Sequence, residues 1–306
     1  MTEPGTPAVR RTLAWRRARG PRQVPWLLVV PGLAALVVFH FVAIGFGSYY
    51  AFTKWNGLTT ATWVGLRNFR EIFADPTATR ALWNTLELAG AFLVLVNVVG
   101  LALAIGLNRA LKTRHVLRAL FFAPVALSPL AVAYIWQYIF TYDGALNLLL
   151  GDLGLGSLQR DWLGSPSFAL WTILVVMVWQ YAGLSMVIYL AGLQAIGDEI
   201  YEAALVDGAS GWLRFRRVIL PLLAPAMTIS TILSLVFGLR VFDQVIALTG
   251  GGPVDASETL ALVVYQQTFT NGAFGYGAAF ALVLTALITV LAITQLVILR
   301  FNEKRI

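Results

Sequence analysis

The chain has 306 residues, of which 58% are hydrophobic and only 12% charged, with a mean hydropathy of +0.76. This composition excludes an ordinary soluble globular domain and predicts an integral membrane protein. The absence of cysteine excludes disulfide bonds, thiolate metal sites and a cysteine nucleophile. The net charge of +7 does not predict nucleic-acid binding, because no basic face with interleaved aromatic residues accompanies it.

Six apolar stretches are long enough to cross a bilayer, which requires about 20 mostly apolar residues per helix. The predicted fold class is therefore an all-α integral membrane protein with one six-helix membrane domain over residues 24–299. Residues 1–23 and 300–306 are predicted to be tails outside the membrane. The predicted transmembrane helices are 24–47, 81–107, 119–141, 167–192, 219–248 and 275–299.

The distribution of lysine and arginine predicts the orientation. If the N-terminus is inside, 16 of the 22 basic residues fall in the two tails and the inner loops, and five fall in the outer loops. The positive-inside rule then places both termini in the cytoplasm of a multi-pass plasma-membrane protein. No cleavage site follows the first apolar stretch, so the basic N-terminal tail is not expected to be a removable signal peptide.

A polar segment at residues 193–218 separates the fourth and fifth predicted helices. Its carboxylates would cost several kcal/mol in hydrocarbon, so the segment must face water or another protein. We predict a short surface helix that starts near Glu199. An amphipathic helix lying on lipid is the alternative, but acidic side chains are poorly suited to an anionic leaflet. The distinctive residues of the segment are Glu202, Ala203, Ala204, Asp207, Gly208 and Ala209.

This segment, together with Leu220-Pro221 after it, resembles the EAA cytoplasmic loop in the membrane-spanning subunits of bacterial ABC importers. A departure is Gly197-Asp198, where that family often has proline before the acidic residue. The motif from Thr249 to Pro253 resembles the first permease of the pair in the maltose and glycerol-3-phosphate importers. Further motifs that resemble the carbohydrate-uptake branch are Asn68-Phe69, Asn84-Thr85, Arg118 with Pro124, Trp136, Leu190-Ala191-Gly192-Leu193 and Phe242-Asp243.

The resemblance implies a transport subunit with the architecture of a type I ABC importer permease, which is not itself an enzyme. Its implied partners are a second homologous permease, a pair of ATP-hydrolysing subunits, an extracytoplasmic substrate-binding protein and membrane lipid, with no nucleic acid. The chain contains no Gly-x-x-x-x-Gly-Lys-Ser/Thr phosphate loop, so ATP and Mg²⁺ are expected on the ATPase subunits and no cofactor or metal on this chain. The residues implied to contact the ATPase are Glu202, Ala203, Ala204, Asp207, Gly208 and Ala209.

The resemblance also implies that this chain forms half of a pathway for a sugar or sugar derivative. Sugar hydroxyls need hydrogen-bonding groups in a water-filled cavity, and aromatic rings can offer flat faces to a sugar. For Gln180 and Ser234, hydrogen bonding between helices is an equally good interpretation. The predicted pathway residues are Gln180, Tyr181, Ser185, Ser234, Gly238, Phe242, Asp243 and Gln244.

Two sets of ionisable residues have simpler predicted roles. Arg240 and Asp243 are three residues apart in one predicted helix, so we expect them to form an ion pair. If Arg240 instead were unpaired and faced the cavity, an anionic cargo such as a sugar phosphate would be favoured. His40 and His115 are predicted to lie at the membrane interface rather than to bind metal.

Two other function classes fit the sequence less well. An ion-coupled secondary transporter usually has intramembrane carboxylates and inverted repeats, whereas only Glu87 and Asp243 are candidates here and no repeat is evident. A membrane-embedded enzyme would need paired carboxylates, a Ser-His-Asp set or a metal cluster, and the sequence indicates none of these.

Overall fold

The computed structural model describes residues 26–109 and 112–303, with side chains from residue 29 to residue 301 of those ranges. The predicted N-terminal tail, 1–23, therefore lies outside the described residues. The chain divides into two compact units, Met1–Phe46 and Gly47–Ile306. In the N-terminal region, α1 spans Trp26–Leu36, a π-helical turn covers Val37–Val42 and α2 spans Ala43–Ala51.

The second unit is helical apart from one pair of two-residue strands. Strand β1 (Thr53–Lys54) pairs antiparallel with β2 (Thr62–Trp63), with Thr53 opposite Trp63. The helices are α3 (Arg67–Ala74), α4 (Pro76–Leu107), α5 (Arg114–Phe122), α6 (Pro129–Phe140), α7 (Ala145–Asp152), α8 (Ala169–Gln194), α9 (Asp198–Val206), α10 (Gly211–Arg214), α11 (Leu220–Leu222), α12 (Ala224–Leu239), α13 (Asp243–Leu248), α14 (Leu260–Tyr265) and α15 (Phe274–Glu303). Shorter 3₁₀ turns cover Ala123–Ala126 and Gly156–Leu158, and π-helical turns cover Phe215–Ile219 and Gln266–Thr270.

Four helical stretches of the described residues are long and apolar enough to cross a membrane, namely Val29–Ala51, Pro76–Leu107, Ala169–Gln194 and Phe274–Phe301. Two bent pairs raise the number to as many as six. The third predicted helix is bent by 100° between Ala126 and Pro129. Proline disfavours a helical conformation in the residue before it, and Ser128 is accordingly extended, so α6 starts anew at Pro129.

The fifth predicted helix, 219–248, is also broken. Its first half contains a 71° bend between Leu222 and Ala224, and α12 then ends at Leu239. The backbone is non-helical until α13 begins at Asp243. The break therefore places Arg240 and Asp243 at helix ends within what the sequence indicated as one continuous span.

Helix α4 forms the centre of the unit, and it packs against α8 and α12. The approach of α4 to α8 is closest at Gly100, where an added Cβ would overlap Cβ of Ser185. Small residues at such contacts allow membrane helices to pack tightly by dispersion, because lipid provides no hydrophobic driving force between them. The fully buried side chains around these contacts include Phe92, Ile173, Met177, Met186 and Tyr189.

The loop between α13 and α14, which carries the motif from Thr249 to Pro253, is fastened to α4. Gly250 and Gly251 have φ angles of +63° and +94°, a backbone region that favours glycine. The side-chain amide of Asn84 donates to the carbonyl oxygens of Asp255 (3.1 Å) and Glu258 (2.9 Å). The Asn84 motif and the loop motif that the sequence singled out are therefore two halves of one contact.

Asn68, in α3, also joins separate parts of the chain through its side-chain amide. Its side-chain amide donates to the carbonyl oxygens of Ala51 (2.8 Å) and Thr53 (3.0 Å) and lies 3.4 Å from that of Gly275. Buried backbone carbonyls need such partners. Asn68 thus joins the end of α2, strand β1 and the start of α15.

Glu258, in the loop between α13 and α14, is a buried carboxylate that is 4% exposed. Burial is the main cause that raises the pKa of its carboxyl group to about 7, Asp255 and Asp75 act in the same direction, and Arg80 opposes them. Within the described residues, Glu258 Oε2 has no hydrogen-bond partner. Ionisation of this group therefore destabilises the folded chain.

We expect Glu258→Gln to raise the melting temperature of the purified protein at pH 8 and to change it less at pH 5. An unfolded carboxyl ionises near pH 4.5, so the penalty of the folded state grows as the pH rises from there to about 7 and is complete above that. Removing a buried charge without a partner is worth about 1–3 kcal/mol. Exposed Asp152→Asn is the control. An equal shift at both pH values would contradict the expectation.

Candidate functional site

Helix α9 is the surface helix predicted in the polar segment, and it begins at Asp198, next to the predicted start near Glu199. Asp198 and Glu199 lie in its first turn, where negative charge is favourable to the helix dipole. At the other end, Gly208 adopts φ = +73°, and the Ala209 N–H donates to the carbonyl of Ala204 at 2.9 Å. A glycine in this conformation terminates a helix and satisfies its last carbonyls.

The exposed surface of α9 is narrower than the sequence suggested. Glu202, Ala203, Asp207 and Gly208 are exposed, and Ala209 is half-buried. Ala204, however, is only 5% exposed. Successive helical residues point about 100° apart, so Ala204 faces its own chain while Ala203 faces outward. The surface that can meet a partner therefore contains one of the two alanines, not both.

Apolar side chains that the sequence analysis did not single out complete this surface. Val206 is 88% exposed and Leu205 56% exposed, and Ile200, nearer the start of the helix, is exposed too. Exposed apolar side chains grouped around charged ones are typical of a protein-binding surface. Val206 carried a signal in the sequence, because at about 100° per residue it points away from the face of α9 that Tyr201 and Ala204 share.

Tyr201 attaches α9 to the next helix. The Arg214 guanidinium carbon lies 5.9 Å from the centre of the Tyr201 ring, which is within reach of a cation–π interaction. Burial is the main cause that raises the pKa of the Tyr201 hydroxyl, with Arg214 lowering it and Asp198 raising it. The sequence analysis assigned no role to Tyr201, because the contact joins residues on two separate helices.

A cavity of about 270 Å³ lies where the backbone breaks between α12 and α13. Four of the predicted pathway residues line it, and Arg240 lies among them. The ring of Tyr181 stacks on Phe237 at 5.3 Å between centroids. The polar and aromatic residues of this cavity, which we call the central cavity, are Tyr181, Phe237, Arg240, Phe242, Asp243 and Gln244.

Three other predicted pathway residues, Gln180, Ser185 and Ser234, make hydrogen bonds within the chain. Gln180 is fully buried, and its amide lies 3.2 Å from the Leu127 carbonyl and accepts from Gln244 at 3.0 Å. Ser185 accepts from Ser230 at 3.1 Å. These bonds fit the alternative that such residues join helices rather than bind cargo.

Ser234 belongs to a similar network between helices. It accepts from Asn97 at 2.8 Å, and Asn97 also accepts from the Tyr189 hydroxyl at 2.7 Å. Gly238, the remaining predicted pathway residue, lies against α4, because an added Cβ would come within 2.8 Å of Ala89 Cα. Ser234 and Gly238 therefore hold α12 against α4 and do not line the central cavity.

The predicted ion pair between Arg240 and Asp243 is wrong. Among the described residues the salt bridge is Arg67–Glu71, at 2.8 Å. Arg240 follows the last residue of α12 and Asp243 begins α13, so the two side chains do not share the helical spacing on which the prediction rested. Both instead line the central cavity.

The structure bears on the two other function classes as well. Glu87 lines a separate cavity of about 560 Å³ with Arg80 and Asn84, whereas Asp243 lines the central cavity. These two carboxylates therefore do not form a relay. No group of three or more histidine, aspartate or glutamate side chains in the described part of the chain could hold a metal ion.

Comparison with known proteins identifies the family. The family model for "Binding-protein-dependent transport system inner membrane component" matches residues 96–304. The chain is 32% identical over 283 residues to the probable starch degradation products transport system permease protein AmyD of Thermoanaerobacterium thermosulfurigenes, covering 91% of this chain and 94% of the relative. It is 36% identical over 272 residues to the multiple sugar-binding transport system permease protein MsmF of Streptococcus mutans, covering 89% and 93%.

Solved structures show the same fold. A chain of a bacterial alginate ABC transporter, in complex with an alginate pentasaccharide-bound periplasmic protein, matches with a TM-score of 0.78 and 22% identity, over 91% of this chain and 94% of that one. The predicted all-α membrane fold of an ABC importer permease is therefore confirmed. The chain belongs to the family of inner membrane components of binding-protein-dependent transport systems, the permease subunits of ABC transporters.

Proposed function

We propose that this chain is one permease of a sugar importer and forms half of the translocation pathway with a second, homologous permease. The names of its relatives support a carbohydrate cargo, because they are described as carrying starch degradation products or multiple sugars. The central cavity supports it too. Aromatic faces of Tyr181 and Phe242 lie beside hydrogen-bonding groups of Asp243 and Gln244, the combination that a sugar ring requires.

We also propose that α9 contacts an ATP-hydrolysing partner subunit, which binds ATP and Mg²⁺. The main support is that α9 exposes two carboxylates, Glu202 and Asp207, as well as the apolar side chains of Leu205 and Val206. Lipid would accept the apolar groups but not the carboxylates, and water would accept only the carboxylates. A protein cleft with a basic residue and an apolar wall accommodates both.

Force applied to α9 can reach the central cavity through α8. Only residues 195–197 separate the two helices, and α8 is 26 residues long, about 39 Å from end to end. Gln180 and Tyr181 lie near the middle of α8, and Gln180 bonds directly to Gln244 beside the cavity. A displacement of α9 along the axis of α8 would therefore move one wall of the cavity relative to α13.

We further propose that the cargo is a neutral sugar. Arg240 forms no ion pair with any residue that the structure describes and lines the cavity, an arrangement that alone would favour an anionic cargo. Asp243 lines the same cavity, however, so the opposite charges compensate and the cavity attracts neither sign strongly. In a transport assay with the reconstituted importer, neutral disaccharides should compete with the cargo and glycerol phosphates should not. Competition by glycerol phosphates alone would contradict the neutral cargo and assign Arg240 to an anionic one.

The orientation is tested by labelling single cysteines in a chain that naturally contains none. With the proposed binding-protein partner outside and both termini inside, Asp143→Cys in intact cells should react with a membrane-impermeant maleimide. Gln194→Cys should react only after permeabilisation, because it lies at the end of α8 next to α9. Both positions are exposed, so accessibility reports the side of the membrane. The reverse pattern would place α9 outside and overturn the proposed coupling.

A further inference from the structure

A further cavity, of about 500 Å³ and lined by apolar side chains and two arginines, lies where α9 and α10 meet the ends of α4 and α8. We call it the basal pocket. Its lining includes the apolar side chains of Ile105 and Ile219 and the charged side chains of Arg109 and Arg214. Neither arginine takes part in the proposed contact of α9 with the ATPase or in the central cavity.

The charge of the basal pocket is not compensated from within. Among the residues that the structure describes, its lining contains two arginines and no acidic side chain, and Asp198, the acidic residue near Tyr201, is not part of that lining. Arg214 Nε is buried without a hydrogen-bond partner in the described part of the chain. A buried donor of this kind costs free energy unless an acceptor reaches it. The fork of an arginine matches the oxygens of phosphate and carboxylate groups, and phosphate is the anion that phospholipid headgroups supply.

The position of the basal pocket indicates where such a phosphate would come from. The pocket lies at the C-terminal ends of α4 and α8, two helices long enough to span the bilayer. Trp212, at its rim, is 71% exposed, and the neighbouring Leu213 is exposed too. Exposed tryptophan at the end of membrane-spanning helices is typical of the headgroup region, and basic pockets between helices on the cytoplasmic side bind anionic lipid headgroups.

We propose that the basal pocket binds the headgroup phosphate of an anionic phospholipid of the inner leaflet. Arg109 and Arg214 hold the phosphate, and the acyl chains lie along Trp212 and Ile219. The side of the membrane rests on the orientation in the proposed function. Because Arg214 also contacts Tyr201, the lipid would connect the base of α9 to the end of α4 and so steady the helix on which the ATPase acts.

Native mass spectrometry of the whole importer, in detergent with equal amounts of phosphatidylglycerol and phosphatidylcholine, tests this binding. The wild type should retain phosphatidylglycerol preferentially, and the double variant Arg109→Gln with Arg214→Gln should lose about fivefold in retention per arginine removed. The matched control is Arg216→Gln with Arg217→Gln, which removes two exposed charges from the same segment but outside the pocket. The control should retain the lipid within about twofold of the wild type.

Three results would overturn the proposal. Equal loss of lipid in the two double variants would mean that general surface charge attracts it. Full displacement by millimolar inorganic phosphate or glycerol phosphate would assign the pocket to a soluble anion. Lipid that binds only when the ATPase subunits have dissociated would make the pocket part of their docking surface.

Two further measurements keep the outcome interpretable. If the double variant fails to assemble, the single variant Arg109→Gln, at an exposed residue, should still lose about fivefold in phosphatidylglycerol retention. Substrate-stimulated ATP hydrolysis is measured on the same samples. Normal hydrolysis without lipid selectivity would overturn the lipid site and leave the proposed function intact.

Discussion

Glu202→Lys is expected to lower substrate-stimulated ATP hydrolysis by the assembled importer at least tenfold while the chain still inserts in the membrane. Glu202 is exposed on α9, so the substitution leaves the packing of this chain unchanged. Reversing a charge at a contact with a basic cleft costs several kcal/mol, more than the roughly 1.4 kcal/mol that corresponds to tenfold. The measurement is ATPase activity in proteoliposomes with and without the cargo-loaded binding protein.

The control for this prediction is Asp143→Lys, an equal charge reversal at an exposed residue between α6 and α7, which should hydrolyse ATP normally. Gly208→Val tests the same contact through the backbone. An added Cβ at Gly208 has nothing within 4 Å, but the φ angle of +73° costs a β-branched residue about 1–2 kcal/mol, so the end of α9 would rearrange. Normal coupled transport in Glu202→Lys would refute the role of α9.

Asp243→Leu is expected to reduce uptake of the cargo at least tenfold. Asp243 lines the central cavity with Tyr181 and Gln244, and a hydrogen bond from a sugar hydroxyl to a carboxylate is worth about 1.5–3 kcal/mol. The side chain is only half-buried, so its loss should affect cargo more than folding. Uptake is measured with radiolabelled cargo in proteoliposomes, together with the melting temperature of the purified importer.

Asp243→Asn is the matched variant, because it keeps a hydrogen-bonding group of the same size while removing the charge. It should retain most uptake of a neutral sugar. Ser234→Ala serves as the contrasting variant, since Ser234 accepts from Asn97 inside the helix packing and should affect stability before uptake. A loss of melting temperature in Asp243→Leu that matches its loss of uptake would make Asp243 a structural residue instead.

Much of this protein could be predicted from residue order, because the bilayer restricts the possible structures so strongly. A stretch of about 20 apolar residues must form a helix in lipid, where backbone groups have no other partners. The carboxylates of Glu202 and Asp207 had to leave the hydrocarbon, and Gly208 marked where their helix would end. Each of these conclusions depends on local sequence and on a solvent whose properties are known.

The tertiary structure decided which side chains meet. The apolar stretch at 219–248 predicted one continuous helix, so the sequence could not show the break that separates Arg240 from Asp243. Nor could it show that the Asn97 amide donates a hydrogen bond to the Ser234 hydroxyl, because these residues are 137 positions apart in the chain. The sequence also could not show that Ala204 is buried and Ala203 exposed, because the two residues are chemically identical.

Membrane insertion, helix ends and the need for a polar surface segment thus followed from the sequence by itself, because they depend on the transfer of local segments between water and lipid. The composition of the central cavity and of the exposed face of α9 was decided only by the fold, because they depend on long-range packing between helices. Long-range packing selects among side chains that local chemistry leaves equivalent.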